Sequence, residues 1–170
     1  MTKKKNGIIQ TYYDTEKIKL LDSYFIFNGI NEGENKEYYE NGQLYDICNY
    51  KNNILEGECK TYHENGQLQI INNYKNDGKE GGYKEYYDNN QHKIISNYKN
   101  NKREGEYKSY YENGQLEIIC NYENGKIDGE LKSYHENGQL EKICNYKDGK
   151  LEEWTIILHT YSKNNKKRDI

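Results

Sequence analysis

Acidic side chains recur on a fixed beat along this chain. Glu40, Glu64, Asp88, Glu112 and Glu136 are spaced 24 residues apart, and so are Glu56, Glu80, Glu104, Asp128 and Glu152. Paired carboxylates are the equipment of acid–base hydrolysis, in which one gives a proton while the other activates water or attacks. That chemistry needs two carboxyls within about 9.5 Å, in environments that split their protonation. If each period contributes two strands spaced about 4.8 Å, successive copies stand about 10 Å apart. All copies are also equivalent. Solvated turn residues are the reading that follows.

Histidine and cysteine offer metal and redox chemistry. His63 and His135 share a position in the period but lie three periods apart, roughly 30 Å at the same spacing, too far for one metal ion. With His92 and His159 they read as replacements in half-buried positions. Cys48, Cys120 and Cys144 share another position, and Cys59 stands alone. One period between Cys120 and Cys144 exceeds the roughly 7 Å that a disulfide spans. Cys48 and Cys59 become cross-strand neighbours only if the register shifts by a residue or so. Free thiols in a reducing compartment are expected. No P-loop, dinucleotide fingerprint, nucleophile elbow or Cys-x-x-Cys pair is present, so no enzyme activity, cofactor or metal is expected.

The remaining chemistry is recognition. Tyr38, Tyr62, Tyr86, Tyr110 and Tyr134, each preceded at two residues by Lys36, Lys60, Lys84, Lys108 and Lys132, form an aromatic and cationic stripe. Tyrosine buries contact area at little cost in rotamer freedom, so the stripe is a candidate partner-binding surface. The same rings could equally hold one repeat against the next.

The elements that carry the stripe must be thin. Only 33% of the 170 residues are hydrophobic and 31% are charged, yet tyrosine occurs 20 times and proline is absent. Disordered chains are poor in aromatics, and a tyrosine can bury its ring while its hydroxyl stays wet. A folded chain with an amphipathic core is indicated. Net charge is −3, with basic ends at Lys3, Lys4 and Lys5 and at Lys163, Lys166, Lys167 and Arg168. Seven of the 25 basic residues lie in those ends, so residues 6–162 carry 18 basic against 27 acidic side chains, a net of −9. Nucleic acid is therefore not expected as a partner, and the tails could add only a weak contact with anionic lipid. No signal peptide or spanning run is visible, and an intracellular, cytoplasmic location is expected.

Residues 33–152 divide without a gap into five units of 24 residues, in which Lys, Tyr, Gln, Ile, Asn and Tyr hold the fourth, sixth, eleventh, fifteenth, seventeenth and eighteenth places. Residues 7–32 read as a degenerate capping unit, 153–162 as one closing strand, and 1–6 and 163–170 as basic tails. Asn-Gly between Tyr- and Ile-bearing segments predicts a β-hairpin in every unit with a type I′ turn, at Asn41-Gly42, Asn65-Gly66, Asn113-Gly114 and Asn137-Gly138. Asn89-Asn90 takes its place in the third unit, and a second turn, as at Asn124-Gly125 or Asp148-Gly149, leads into the next unit. That register sets Tyr134 opposite Glu141, His135 opposite Leu140, Lys132 opposite Ile143 and Tyr146 opposite Gly129. One face then carries His135, Leu140, Leu131 and Cys144 and is the better candidate for packing. The other carries Tyr134, Lys132, Ile143, Glu130 and Asn145. The fold class is all-β: an elongated single-layer antiparallel ribbon of hairpins, roughly 50–60 Å long.

The string G-E-x-K-x-Y-[YH]-E-N-G-Q-L…I-C-N-Y-K-[ND]-G-K resembles the MORN repeat in the variant form of many bacterial and some viral and protist proteins. The resemblance covers 33–152 well and the flanking segments 7–32 and 153–161 loosely. It implies a single-layer hairpin stack with an open groove and a role as scaffold, dimerisation module or membrane-associated adaptor, and some bacterial variant-type members resemble antitoxin components. A Tyr-Glu-Gly core usual in eukaryotic members is not what stands here. The expected function is a non-catalytic protein-interaction scaffold, self-association through a face or an exposed end included. An antitoxin-like neutraliser of one toxin and a membrane-surface adaptor using the basic tails are the alternatives.

Overall fold

The computed structural model describes residues 6–12 and 20–156. Sixteen strands follow one another with no helix among the described residues. They are β1 (Gly7–Tyr12), β2 (Leu20–Phe27), β3 (Ile30–Tyr38), β4 (Leu44–Lys51), β5 (Ile54–Leu55), β6 (Gly57–Tyr62), β7 (Leu68–Lys75) and β8 (Gly78–Tyr86). Then come β9 (His92–Lys99), β10 (Lys102–Arg103), β11 (Gly105–Tyr110), β12 (Leu116–Glu123), β13 (Lys126–Ile127), β14 (Gly129–Tyr134), β15 (Leu140–Lys147) and β16 (Lys150–Ile156). All join one antiparallel sheet in chain order, with short β5, β10 and β13 pairing beside β4, β9 and β12. The closing strand thus begins at Lys150. The basic tails, apart from Asn6, and the middle of the capping unit lie outside the described residues.

Two kinds of turn alternate along the edges, and the type I′ geometry falls at the other one from that expected. At "YENGQ" the Gly42 N–H donates to Tyr39 O at 2.9 Å and the Tyr39 N–H to Gln43 O at 2.8 Å. Of the turn residues only Gly42 has positive φ, at 85°. This is a three-residue loop, a type I turn followed by a left-handed glycine bulge. Asn41 completes it by accepting the Gln43 N–H at 2.9 Å. In the third unit Asn90, with φ 65°, fills the glycine position. The type I′ turns instead lie between units, where both residues have positive φ, as at Asn52-Asn53, Asn76-Asp77, Asn100-Asn101 and Asn124-Gly125.

The longer loop shifts the register beside it. Gly129–Tyr146, Leu131–Cys144 and Lys132–Ile143 pair as expected, but a bulge then sets Tyr134 opposite Leu140 rather than Glu141. Leu140 therefore moves to the tyrosine face, and His135 lies in the loop, its N–H bonded to Gln139 O. The same bulge recurs in all five units.

A one-layer sheet has no second layer to bury against, so it roofs its own small residues with large ones. Cys48, Cys59, Ser96, Ser109, Cys120, Leu131, Ser133 and Cys144 are buried on one face. Around Cys120, Leu131 and Cys144 pack Tyr107, Ile118, Tyr122, Ile127 and Tyr146. Tyr50, Tyr74, Tyr98, Tyr122 and Tyr146 pair with Gly33, Gly57, Gly81, Gly105 and Gly129. Those glycines supply positive φ, a conformation that costs a glycine little.

Neighbouring units are also stitched at their edges. On one edge Tyr39, Tyr87 and Tyr111 donate their hydroxyls to the Tyr62, Tyr110 and Tyr134 carbonyls at 2.7–2.8 Å. On the other, the Asn31, Leu55 and Lys79 N–H groups donate to the side chains of Asn53, Asp77 and Asn101 at 2.6–2.7 Å. The N–H groups of those three turn residues return to Asn31 O, Leu55 O and Lys79 O. Gly125 and Gly149 keep only the backbone half of this exchange, to Arg103 O and Ile127 O.

Candidate functional site

The stripe residues do come together on one face. Alternation along each strand puts Lys36 and Tyr38, and their four equivalents, on the same side. Across the sheet the lysines interleave with isoleucines in one row: Lys36, Ile47, Lys60, Ile71, Lys84, Ile95, Lys108, Ile119, Lys132, Ile143. In the next row Tyr38, Tyr62, Tyr110 and Tyr134 pair with Leu44, Leu68, Leu116 and Leu140, and Tyr86 pairs with His92. The tyrosines are half-buried. The His92 ring lies 4.9 Å from Tyr86 and 6.2 Å from Tyr110, centre to centre.

Most of the stripe's positive charge is cancelled on its own strand. Lys36 pairs with Glu34 at 2.5 Å, Lys60 with Glu58 at 2.6 Å, Lys108 with Glu106 at 2.7 Å and Lys132 with Glu130 at 2.6 Å. The hydrogen bond that each lysine donates to its glutamate raises the lysine above its ordinary range. Lys84 has Gly82 at the corresponding place and no carboxylate partner among the described residues. The Glu-x-Lys pattern broken only at Gly82 was the sequence signal for this difference.

The opposite face carries the buried cysteines and a second set of aromatics. Lys79 Nζ sits 5.2 Å from the centres of both Tyr83 and Tyr98, and Arg103 lies 5.0 Å and 5.5 Å from Tyr107 and Tyr122. Toward the N-terminal end one row of this face runs Asp22, Glu37, Asp46, Thr61. Burial, and then the Glu37 charge, push the Asp46 carboxyl up to about 6. At the other end Glu141, Lys142, Cys144, Tyr146, Leu151 and Trp154 line an open hollow of about 380 Å³.

Cys48 and Cys59 are joined by a disulfide, which corrects the expectation of four free thiols. They lie in adjacent hairpins: β4 pairs with β6 through Asp46–Thr61 and Ile47–Lys60, so the next residues meet, with Cα atoms 4.3 Å apart. Cys120 and Cys144 are free and buried. Burial pushes the Cys120 thiol up to about 11.

The ordered carboxylates are partly structural. Glu56, Glu80 and Glu104 accept the N–H groups of Asn76, Asn100 and Asn124, each in the following type I′ turn, at 2.8–2.9 Å. Asp128 instead meets Lys147 at 2.9 Å. Glu40, Glu64, Asp88, Glu112 and Glu136 are exposed in the loops, and Asp88 contacts His63 Nδ1 at 3.0 Å. No cluster of three or more His, Cys, Asp or Glu side chains among the described residues is placed to hold a metal ion.

A family model described as the MORN repeat variant matches residues 31–52, 55–76, 79–100, 103–126 and 127–148. No curated protein matches the chain at a significant level. Among solved structures, a chain of the GtfA/B complex bound to UDP and GlcNAc is similar at 14% identity, with a TM-score of 0.28. That match covers 67% of this chain and 22% of the other, so the chain spans about a fifth of the length of the protein it matches.

Proposed function

Because the chain belongs to the MORN repeat variant family, a non-catalytic repeat family generally associated with protein or membrane interaction scaffolds, we propose that it binds a protein partner along its tyrosine face. The observation that carries this reading is the continuous row of half-buried tyrosines beside the Lys–Ile row, five units long, with no second layer over it among the described residues. Half-buried rings have apolar area still to cover, and their hydroxyls can bond a partner's backbone. The opposite face is a poorer candidate, since its aromatics are engaged in roofing the cysteines and in holding Lys79 and Arg103.

Capture of partners from the native host tests the proposal, using the tagged chain beside Tyr86→Ser/Tyr110→Ser and, as a control on the other face, Tyr146→Ser. Circular dichroism checks that each variant folds. A partner lost in the first variant and kept in the control is expected. One kept by a folded Tyr86→Ser/Tyr110→Ser chain would move the site off this face.

A further inference from the structure

The third unit departs from the others at two places on the tyrosine face. Gly82 replaces the glutamate that neutralises every sibling lysine, and His92 replaces the leucine opposite the stripe tyrosine. Lys84 is left exposed with no carboxylate beside it, and the His92 Nδ1 atom is buried without a hydrogen-bond partner. One hairpin at the centre of the stack therefore offers an unpaired cation beside Tyr86, with the His92 ring packed between Tyr86 and Tyr110.

We propose that this hairpin is the anchor point for an extended acidic segment of a partner protein, with an Asp or Glu carboxylate seated on Lys84. The proposal rests on the binding face argued above and names its partner's chemistry. Charge complementarity selects a carboxylate: elsewhere along the stripe the lysines already hold one at 2.5–2.7 Å, so only this position has a vacancy for it. A linear polypeptide fits better than a lipid surface, because residues 6–162 carry a net −9 and Lys84 is the one stripe lysine without a carboxylate partner among the described residues. An ammonium–carboxylate bond in a partly desolvated setting supplies register along an otherwise repetitive face.

The sibling units supply the decisive variant. Gly82 has no left-handed backbone requirement, and a Cβ added there meets nothing nearer than Asn97 Oδ1 at 3.9 Å. Gly82→Glu therefore restores the arrangement of the other four units without strain. A displayed library of random dodecapeptides is selected in parallel on the full chain, on Gly82→Glu and on Tyr86→Ser/Tyr110→Ser. Enrichment of Asp or Glu at one position is expected on the wild type. The selected peptides should bind Gly82→Glu about 10-fold more weakly or worse, the loss of one charge-assisted bond. Glu106→Gly frees Lys108 in the same way, one unit further along. Peptides selected on that variant should carry a second acidic residue about three positions from the first, since the units are about 10 Å apart and a strand rises about 3.3 Å per residue.

Acidic peptides that bind Gly82→Glu unchanged, selections with no acidic bias, or no selected peptide at all would each overturn the anchor. If non-acidic peptides are selected and lost on Tyr86→Ser/Tyr110→Ser, the face still binds protein and only the anchor fails. Peptides indifferent to both variants would remove the face itself. Binding to vesicles containing anionic lipid that Gly82→Glu abolishes would assign Lys84 to a membrane and overturn the peptide.

Discussion

Asp46 shows how a carboxyl can be stored at a cost to the fold. Its folded-state value of about 6 lies above the ordinary 3.8, so the native chain binds that proton more tightly than the unfolded chain between roughly pH 4 and 6. Stability from this group is present below that window and is lost as pH rises through it. Asp46→Asn should therefore raise stability at pH 7 by about 1 kcal/mol, after allowance for partial exposure, and flatten the dependence between pH 4 and 6. Thermal melts of both chains across that range decide it; parallel slopes would discard this account of the carboxyl. Residues 48 and 59 give a second prediction. A link closing a sequence separation of 11 residues is worth about 2–3 kcal/mol, so Cys48→Ser/Cys59→Ser should lose that much in oxidising buffer and little in reducing buffer. Equal losses in both buffers would mean the pair matters only through packing. This bond was illegible in the sequence because spacing within the 24-residue unit fixes partners inside a hairpin, whereas Cys48 and Cys59 meet between hairpins.

The hairpin was legible down to the position of both turns, since Asn, Asp and Gly recur there in every unit. The type I′ geometry expected within each unit stands between units instead. An Asn-Gly pair suits a two-residue loop, but it equally ends a three-residue loop when the residue before it joins the turn, as Glu112 does before Asn113-Gly114. The extra loop residue forces a bulge, and the bulge moved Leu140 to the tyrosine face. Gly114 illustrates what this turn demands: φ is 83°, and a Cβ would stand 3.0 Å from Gln91 Oε1 of the preceding unit. Gly114→Ala should cost about 1–2 kcal/mol in a thermal or urea melt. Asn90→Gly, at a site already left-handed, should change stability by less than about 1 kcal/mol. A tolerated alanine would show that the loop relaxes to another form. The stripe was legible because Lys and Tyr two residues apart must share a side of a strand; the Glu-x-Lys spacing carried the charge pairing in the same way, but the ion-pair distances depend on rotamers and were not legible.

At the scale of the molecule, the contacts described above run between neighbouring strands and neighbouring units, so the stack should tolerate a change in its number of units. Deleting residues 105–128 removes one whole period and rejoins equivalent ends. The product should fold with the same far-ultraviolet spectrum per residue and a lower melting point. Deleting residues 105–116 removes half a period, mismatches the rows and should not give a cooperative melt. A folded half-period deletion would show that the rows do not set the register. The two long edges of the ribbon also differ from end to end. The exchange between successive type I′ turns is two-sided at Asn53, Asp77 and Asn101 and one-sided at Gly125 and Gly149, where no side chain exists to receive the Arg103 and Ile127 amides. The ribbon therefore has a polarity in time as well as in sequence: as a zip with its teeth missing at one end, it should breathe from the C-terminal units inward, and deuterium should enter the amides of Arg103 and Ile127 well before those of Leu55 and Lys79.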